Sequence, residues 1–282
     1  ISTLSSISPP AISKKESQKR FREYMKKILI VGESCKDVFV YCRAERLAPD
    51  LPVPVLSIIE NTENPGMAAN VERNIKSIFP NADLYTNDAW ETVTKTRYMH
   101  RDTNHMFIRI DTDHNIPRVQ VKKIPLEKYD LIAISDYNKG FLTEEDIKYI
   151  CENHDTVFID TKKILGDWVA KATYIKINNY EYERSKDSLP KGLEKKIIRT
   201  KGDQGAFFKG KNYPVSKKVE VKDVTGAGDS FFAALVVKYV ETGDIEKSIN
   251  FANELASEVV KHKGVTLIKK KEALTSSTTM LF

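Results

Sequence analysis

DVTGAGDS, residues 223–230, runs directly into FFAALVVKYV, residues 231–240. Gly226, Ala227 and Gly228 carry too little side chain to block close backbone approach. Their N–H groups can therefore converge on an anion at a helix start, where the aligned peptide dipoles favour negative charge. Asp229 stands in that positive pocket, at the point where turn becomes helix. One reading makes it the helix N-cap, a role worth about 1 kcal/mol. The other makes it a general base that takes a hydroxyl proton while the amides hold a phosphoryl group in transfer.

Outward from this turn, short β-branched runs alternate with longer amphipathic ones, the pattern of a doubly wound α/β sheet. KILIV (27–31), LIAIS (131–135), TVFID (156–160), TYIKI (173–177) and KIIRT (196–200) are short enough for buried strands. Helices are predicted over 67–79, 143–153, 229–243 and 244–263; in the last, Ile249, Ala252, Ala256, Val259 and Val260 recur at helical spacing as a packing stripe. Two stretches break the alternation, 38–60 and 93–111, and both read as strand pairs around turns. The organisation expected is a disordered leader over 1–26, one domain over 27–270 and a flexible tail over 271–282. Met25, directly ahead of KKILIVGE, is a candidate start with an extension before it; an organellar transit peptide is the other reading of the leader.

Composition narrows the function classes. The chain has 282 residues, enough for one large α/β domain. Its apolar runs fall short of the roughly 20 residues a spanning helix requires, so no membrane role is expected. Of the formal charge of +6, most sits in residues 1–27, which hold seven Lys and Arg against two Glu. The body is close to neutral, which argues against a nucleic-acid partner. Cys35, Cys42 and Cys151 form no metal-type spacing, the five histidines are scattered, and a reducing cytoplasm is the simplest home.

The octet resembles the signature of the ribokinase-like (PfkB) carbohydrate kinases. The resemblance implies a mostly parallel central sheet flanked by helices, a small β-sheet lid over the sugar built from the two irregular stretches, and in some members a homodimer through that lid. It implies ATP and Mg2+, with Asp229 as base, Gly226, Ala227 and Gly228 as anion hole, and Asp223 and Thr225 as supporting positions, Thr225 on the nucleotide side. Further segments follow in the family's order. GESCKD (32–37) places Asp37 past the first strand, where open α/β sheets bind ligands and a carboxylate can accept two sugar hydroxyls; a turn aspartate is the alternative. In NPGMAANVERN (64–74), Gly66 and Asn70 match the sugar-binding GGxxxN segment, with Met67 in place of the second glycine; Asn70 as a plain helix-start residue is the alternative. Asn178 and Glu181 have the spacing of the NxxE motif that organises magnesium and its waters, chemistry that needs few protein oxygens. Thr200, Gly202 and Gly205 in TKGDQG (200–205) resemble the nucleotide-contacting turn, or form an ordinary hairpin turn. Asn253 matches an adenine-side position.

Within the family the likeness is nearest to the branch that phosphorylates D-glycero-D-manno-heptose 7-phosphate at C1. It is carried by LAPDLPVPVL (47–56), NPGMAANV (64–71), TKTRYMHRDTNHMFIRID (94–111), SDYNKG (135–140), IDTK (159–162) and EVKDVTGAGD (220–229). Lys95, Arg97, Arg109, Lys139 and Lys162 lie inside these segments, as partners for a phosphorylated sugar or as solvated surface. The chain is shorter than that branch after residue 86 and around 184–195. A ketose, pentose or nucleoside acceptor, or a non-catalytic sugar or nucleotide sensor, are the competing readings.

Overall fold

The computed structural model describes residues 26–268 except 104, 113–115, 217, 218, 222 and 263; the expected leader (but for residue 26) and tail lie outside the described residues. Eight strands form the main sheet in the order β12-β11-β10-β9-β8-β7-β1-β4. These are β1 (Ile28–Val31), β4 (Ala82–Tyr85), β7 (Leu131–Asp136), β8 (Val157–Thr161), β9 (Tyr174–Asn178), β10 (Ile197–Thr200), β11 (Ala206–Phe208) and β12 (Lys211–Tyr213). The six from β4 to β10 are mutually parallel, and β11 and β12 add an antiparallel edge. All five strands expected from the β-branched runs are present. The short β4, β11 and β12 carried no such signal, since ADLY, AFF and KNY are too brief for a period to show.

Both faces of the sheet are covered, which is why its strands read as unbroken apolar runs. Ile28 and Ile30 of β1 point to one face, where they join Val71 and Ile75 of α1 (Ala68–Ile78), Phe232 and Leu235 of α4 (Ala227–Thr242) and Ile249 and Leu255 of α5 (Ile245–Val259). Leu29 and Val31 point to the other, against Ile147 and Ile150 of α2 (Glu144–Glu152), Trp168 and Leu193. The alternation within one strand thus builds two cores. Helix α4 is apolar nearly all round because it lies beneath α1 and α5, with ten of its residues buried. Helix α5 ends at Val259, four residues before the expected limit, and the remaining helix, α3 (Asn179–Ser185), is only seven residues long. Among the described residues no helix is long and apolar enough to cross a membrane.

The irregular stretches form a separate four-stranded sheet in the order β3-β2-β5-β6, from β2 (Ser34–Leu47), β3 (Pro54–Met67), β5 (Thr94–His100) and β6 (Met106–Asp111). It begins earlier and ends later than the 38–60 expected for the first pair. Its register sorts side chains by charge. Asp37 pairs with Lys95, Lys95 with Asp111, and Arg97 with Arg109, all on one face. Val38, Thr96 and Ile110, then Val40, Tyr98 and Ile108, alternate with these on the opposite face.

Candidate active site

The carboxyl ends of the parallel strands are where an open α/β sheet receives ligands, at the point where strand order reverses. Here the reversal lies between β1 and β7. Asp136 ends β7, with Tyr137 following; Asp160 and Thr161 end β8, Asn178 ends β9 and Thr200 ends β10. The start of α4 faces this edge. Gly226 is its N-cap, with φ 78°, a left-handed conformation that glycine adopts without a Cβ penalty. Asp229 is therefore the third residue of the helix and not its cap, which removes the capping alternative. Its side chain is 9% exposed and holds two donors: Tyr137 Oη donates to Oδ1 at 2.6 Å, and Asn70 Nδ2 donates to Oδ2 at 2.8 Å.

Burial raises the Asp229 carboxyl above the usual carboxylate range, while the bonds from Tyr137 and Asn70 pull it back. Asp160 pushes it further up and Lys176 draws it down. Such a group is a stronger base than a surface aspartate and remains ionisable. A methyl group on Gly226 would lie 3.2 Å from Asn70 Nδ2, and one on Gly228 would lie 3.2 Å from Lys176 Nζ. The turn thus rests on an amide at one side and an ammonium at the other. The N–H of Ala227 donates to Val224 O at 3.1 Å, closing the turn. Of the three expected anion-hole residues, Ala227 has its amide engaged in this way, and among the described residues the Gly226 and Gly228 amides have no carbonyl partner.

Two cavities meet at this turn. One, about 300 Å³, is lined by Asp229, Gly226, Thr225, Asn70, Met67 and Tyr137 from the core, and by Asp37, Lys95, Arg97, Arg109, Asp111 and Lys139. Every expected acceptor-side residue except Gly66 and Lys162 lines it, and Lys162 is paired with Glu181 instead. Gly66 stands behind Asp37: a Cβ there would meet Asp37 Oδ2 at 2.4 Å. Asp37 lies within β2, not in a turn, and Arg97 Nη1 donates to its Oδ1 at 2.6 Å. Arg109 pairs with Asp111 at 2.7 Å, an interaction that holds the Asp111 carboxyl below its usual range. Lys95 and Lys139 form no ion pair among the described residues. Met67, where the resembled pattern has glycine, keeps a φ of 58° that a non-glycine residue adopts only under strain.

The other cavity, about 330 Å³, is walled by Val215, Val219, Val221, Val224, Phe231 and Val260 and reaches Ala227 and Gly228. Thr200, Gly202, Gly205 and Asn253 line it, as expected of a nucleotide side, whereas Thr225 faces the charged cleft. Residues 200–205 are also the hairpin between antiparallel β10 and β11, so the two readings of TKGDQG describe one structure. Asn253 Nδ2 donates to Tyr213 O at 2.7 Å, which fixes its amide at the cavity wall.

Asn178 and Glu181 form the capping box of α3: Glu181 N donates to Asn178 Oδ1, and Asn178 N donates to Glu181 Oε2, both at 2.8 Å. The other oxygen of Glu181 accepts from Lys162 Nζ. Among the described residues no group of three or more His, Cys, Asp and Glu is placed to hold a metal ion directly. Asp160 Oδ1 is buried without a hydrogen-bond partner beside this pair, with Lys162 Nζ 3.8 Å away. These oxygens fit a hydrated divalent ion, which keeps most of its waters, better than a fully dehydrated one.

Three participants were not singled out from the residues. Tyr137 belongs to SDYNKG, where nothing local marks its hydroxyl. Lys176 is a cation in the buried strand TYIKI, 3% exposed and joined to Asp160 at 2.6 Å. A lysine at an inward strand position requires such a partner, and that signal was available. Asp160 itself is held below the carboxylate range despite its burial, by Lys176 and Lys162.

Comparison with known proteins identifies the family and the fold. The profile described as pfkB family carbohydrate kinase matches residues 82–272. The "Bifunctional protein HldE" of Helicobacter pylori strain Shi470 is 30% identical over 88% of this chain and 65% of its own length. The protein of that name from Hydrogenovibrio crunogenus is 30% identical over 87% of this chain and 62% of its own. The chain thus spans about two thirds or less of the length of these relatives. Thermotoga maritima ribokinase superposes with a TM-score of 0.70 at 20% identity, covering 89% of this chain and 98% of that one. Arabidopsis thaliana ribokinase, solved with ribose and ATP, gives 0.65 at 15% identity with the same coverage. The fold is theirs, and a family match running from β4 through the turn at Asp229 and past α5 makes the chain a carbohydrate kinase of the pfkB family.

Proposed function

We propose that this kinase transfers the γ-phosphoryl group of ATP to a hydroxyl of a phosphorylated sugar, with D-glycero-D-manno-heptose 7-phosphate, phosphorylated at C1, as the favoured acceptor. The observation that carries the reading is the position of one turn between two unlike cavities: Ala227 and Gly228 border the apolar one, Gly226 and Asp229 the charged one. A purine suits the valine-lined cavity, and its phosphates would then reach the Gly226 and Gly228 amides at the positive end of α4. A sugar phosphate suits a cleft with four cations, two of which have no carboxylate partner among the described residues. The heptose preference rests on the residue likeness of segments 47–56, 64–71, 94–111 and 135–140.

In this reading Asn70 and Asp37 orient the acceptor hydroxyl towards Asp229, which removes its proton as the oxygen attacks the γ-phosphorus in line with the departing ADP oxygen. Lys176, under Gly228, counters the charge that builds on the transferred group. A hydrated Mg2+ would be held through Asp160 and Glu181, with Asn178 orienting its waters, and would supply charge neutralisation to the phosphate oxygens. We also read the apolar outer face of the lid as a homodimer contact, and residues 27–270 as the kinase domain. An assay of ADP release over a panel of sugars and sugar phosphates tests the assignment. Highest kcat/KM with heptose 7-phosphate is expected; a ketose, pentose or nucleoside outperforming it would reassign the acceptor, and no ADP above background with any of them would remove the transfer reading.

A further inference from the structure

Tyr137 is the first residue beyond β7, at the point where strand order reverses. Its hydroxyl lies 2.6 Å from Asp229 Oδ1. Oδ2 is already held by Asn70, so Oδ1 is the oxygen an acceptor must approach, and the phenol stands where that hydroxyl would donate. The ring has two cationic neighbours: Lys95 Nζ of the lid lies 5.0 Å from its centroid, and Lys162 Nζ of the core 5.4 Å. Cation–π contacts of this kind are attractive at such distances. The residue therefore contacts both the lid and Asp229.

We propose that Tyr137 is a positioning residue of the transfer, holding the acceptor's place on Asp229 and keeping water from it until a sugar hydroxyl arrives. The proposal rests on the reading of Asp229 as base. A kinase with a basic carboxylate beside an anion turn risks hydrolysing its nucleotide. Water at Oδ1 would lose a proton to Asp229 while its oxygen bonds to the γ-phosphorus and the bond to the ADP oxygen breaks. A phenol donating to Oδ1 takes the site that water would need. It also stays protonated, because burial and the adjacent Asp229 push its pKa well above that of an ordinary phenol. The other groups that act on Asp229 are Asp160 and Lys176 from the main sheet, Lys162 after β8 and Cys35 from the lid, while Asp37, Lys95, Arg97, Arg109, Asp111 and Lys139 share its cavity; among the described residues none of these is hydrogen-bonded to it.

Tyr137→Phe keeps the ring beside the two ammonium groups and removes only the hydroxyl. ADP release is measured across pH with ATP alone and with ATP plus heptose 7-phosphate, or the best acceptor of the panel. A thermal shift with ATP confirms that the variant is folded. Acceptor-independent release should rise several-fold relative to the acceptor-dependent rate. The acid limb of kcat/KM should move up by about one pH unit, since one charge-assisted bond to the ionised carboxylate is lost. Tyr137→Leu should move both readouts in the same direction. Either displacement supports the proposal; a folded variant with an unchanged ratio and an unmoved limb overturns it. Failure of the kinase reading looks different, because the unaltered enzyme would then show no acceptor-dependent ADP at all.

Discussion

At the scale of single residues, Asp229 is placed where its ionised form costs stability, and in the proposed reading that same form is the catalytic base. Because its folded pKa is raised, the folded chain binds this proton more tightly than the unfolded chain does. Its contribution to stability is therefore greatest below the unfolded carboxyl pKa and is lost as pH rises through the raised value. Asp229→Asn should accordingly raise Tm at neutral pH, with the difference shrinking in acid, while kcat falls by about 10²–10⁴-fold and the ATP-induced thermal shift persists. A Tm lowered at neutral pH, or near-normal turnover, would contradict that account. Gly66 acts one step further out. Its hydrogen faces Asp37 Oδ2, and a methyl group in its place would collide with that oxygen at 2.4 Å and with Cys35 Sγ at 2.9 Å. Gly66→Ala should displace the Asp37 carboxylate, raising KM for the acceptor about tenfold or more, the loss expected of a charged hydrogen bond, with KM for ATP little changed. Equal rises in both constants would place the damage in the main sheet instead.

At the scale of elements, the lid is a sheet with two chemistries. Its inner face carries Asp37, Lys95, Arg97, Arg109 and Asp111. Leu47, Leu51, Val53, Ile58, Ile59, Met106, Ile108 and Ile110 are all more than a third exposed, and together they form most of the exposed large hydrophobics among the described residues. Apolar area of this extent on one small sheet calls for a cover. If two lids supply it, Ile108→Asp should convert a dimer to a monomer in sedimentation without unfolding the main sheet; an unaltered monomeric mass before and after the change would remove the dimer contact. The lid also shows what the sequence made legible. The strand pairs were visible in the β-branched runs, and the five core strands in their unbroken apolar character. The faces of the lid depend on register, and a shift of one residue would have exchanged them. The same limit hid Tyr137, whose role exists only because the residue after β7 meets the third residue of α4, 92 positions away. It also left the Asn178–Glu181 spacing ambiguous, since N-x-x-E describes a helix capping box as well as a metal motif, and the folded chain contains the capping box.

At the scale of the whole molecule, the charged cleft and the apolar cavity are built from two bodies of structure. The main sheet and its helices supply most of the apolar cavity, the nucleotide side of the proposed reading; the charged cleft is shared with the lid, whose strands contribute Asp37, Lys95, Arg97, Arg109 and Asp111. Arg97 and Arg109 are already matched with Asp37 and Asp111. In the proposed reading that leaves Lys95 on the lid and Lys139 beyond β7, its backbone N–H held by Glu33 Oε1 at 2.6 Å, as the cations for an acceptor phosphate. Specificity for a phosphorylated sugar should therefore depend on two lysines that reach the cleft from opposite sides. The measurement is the ratio of kcat/KM for a sugar phosphate to that for the same sugar without its phosphate. Each of Lys95→Gln and Lys139→Gln should lower this ratio by about 10- to 100-fold, the worth of one charge-assisted contact, mainly through KM of the phosphorylated acceptor. The unphosphorylated sugar should lose little from Lys139→Gln, because that side chain would meet only the phosphate. A ratio unchanged in both variants would move the phosphate away from the lid and reassign the acceptor to a neutral sugar.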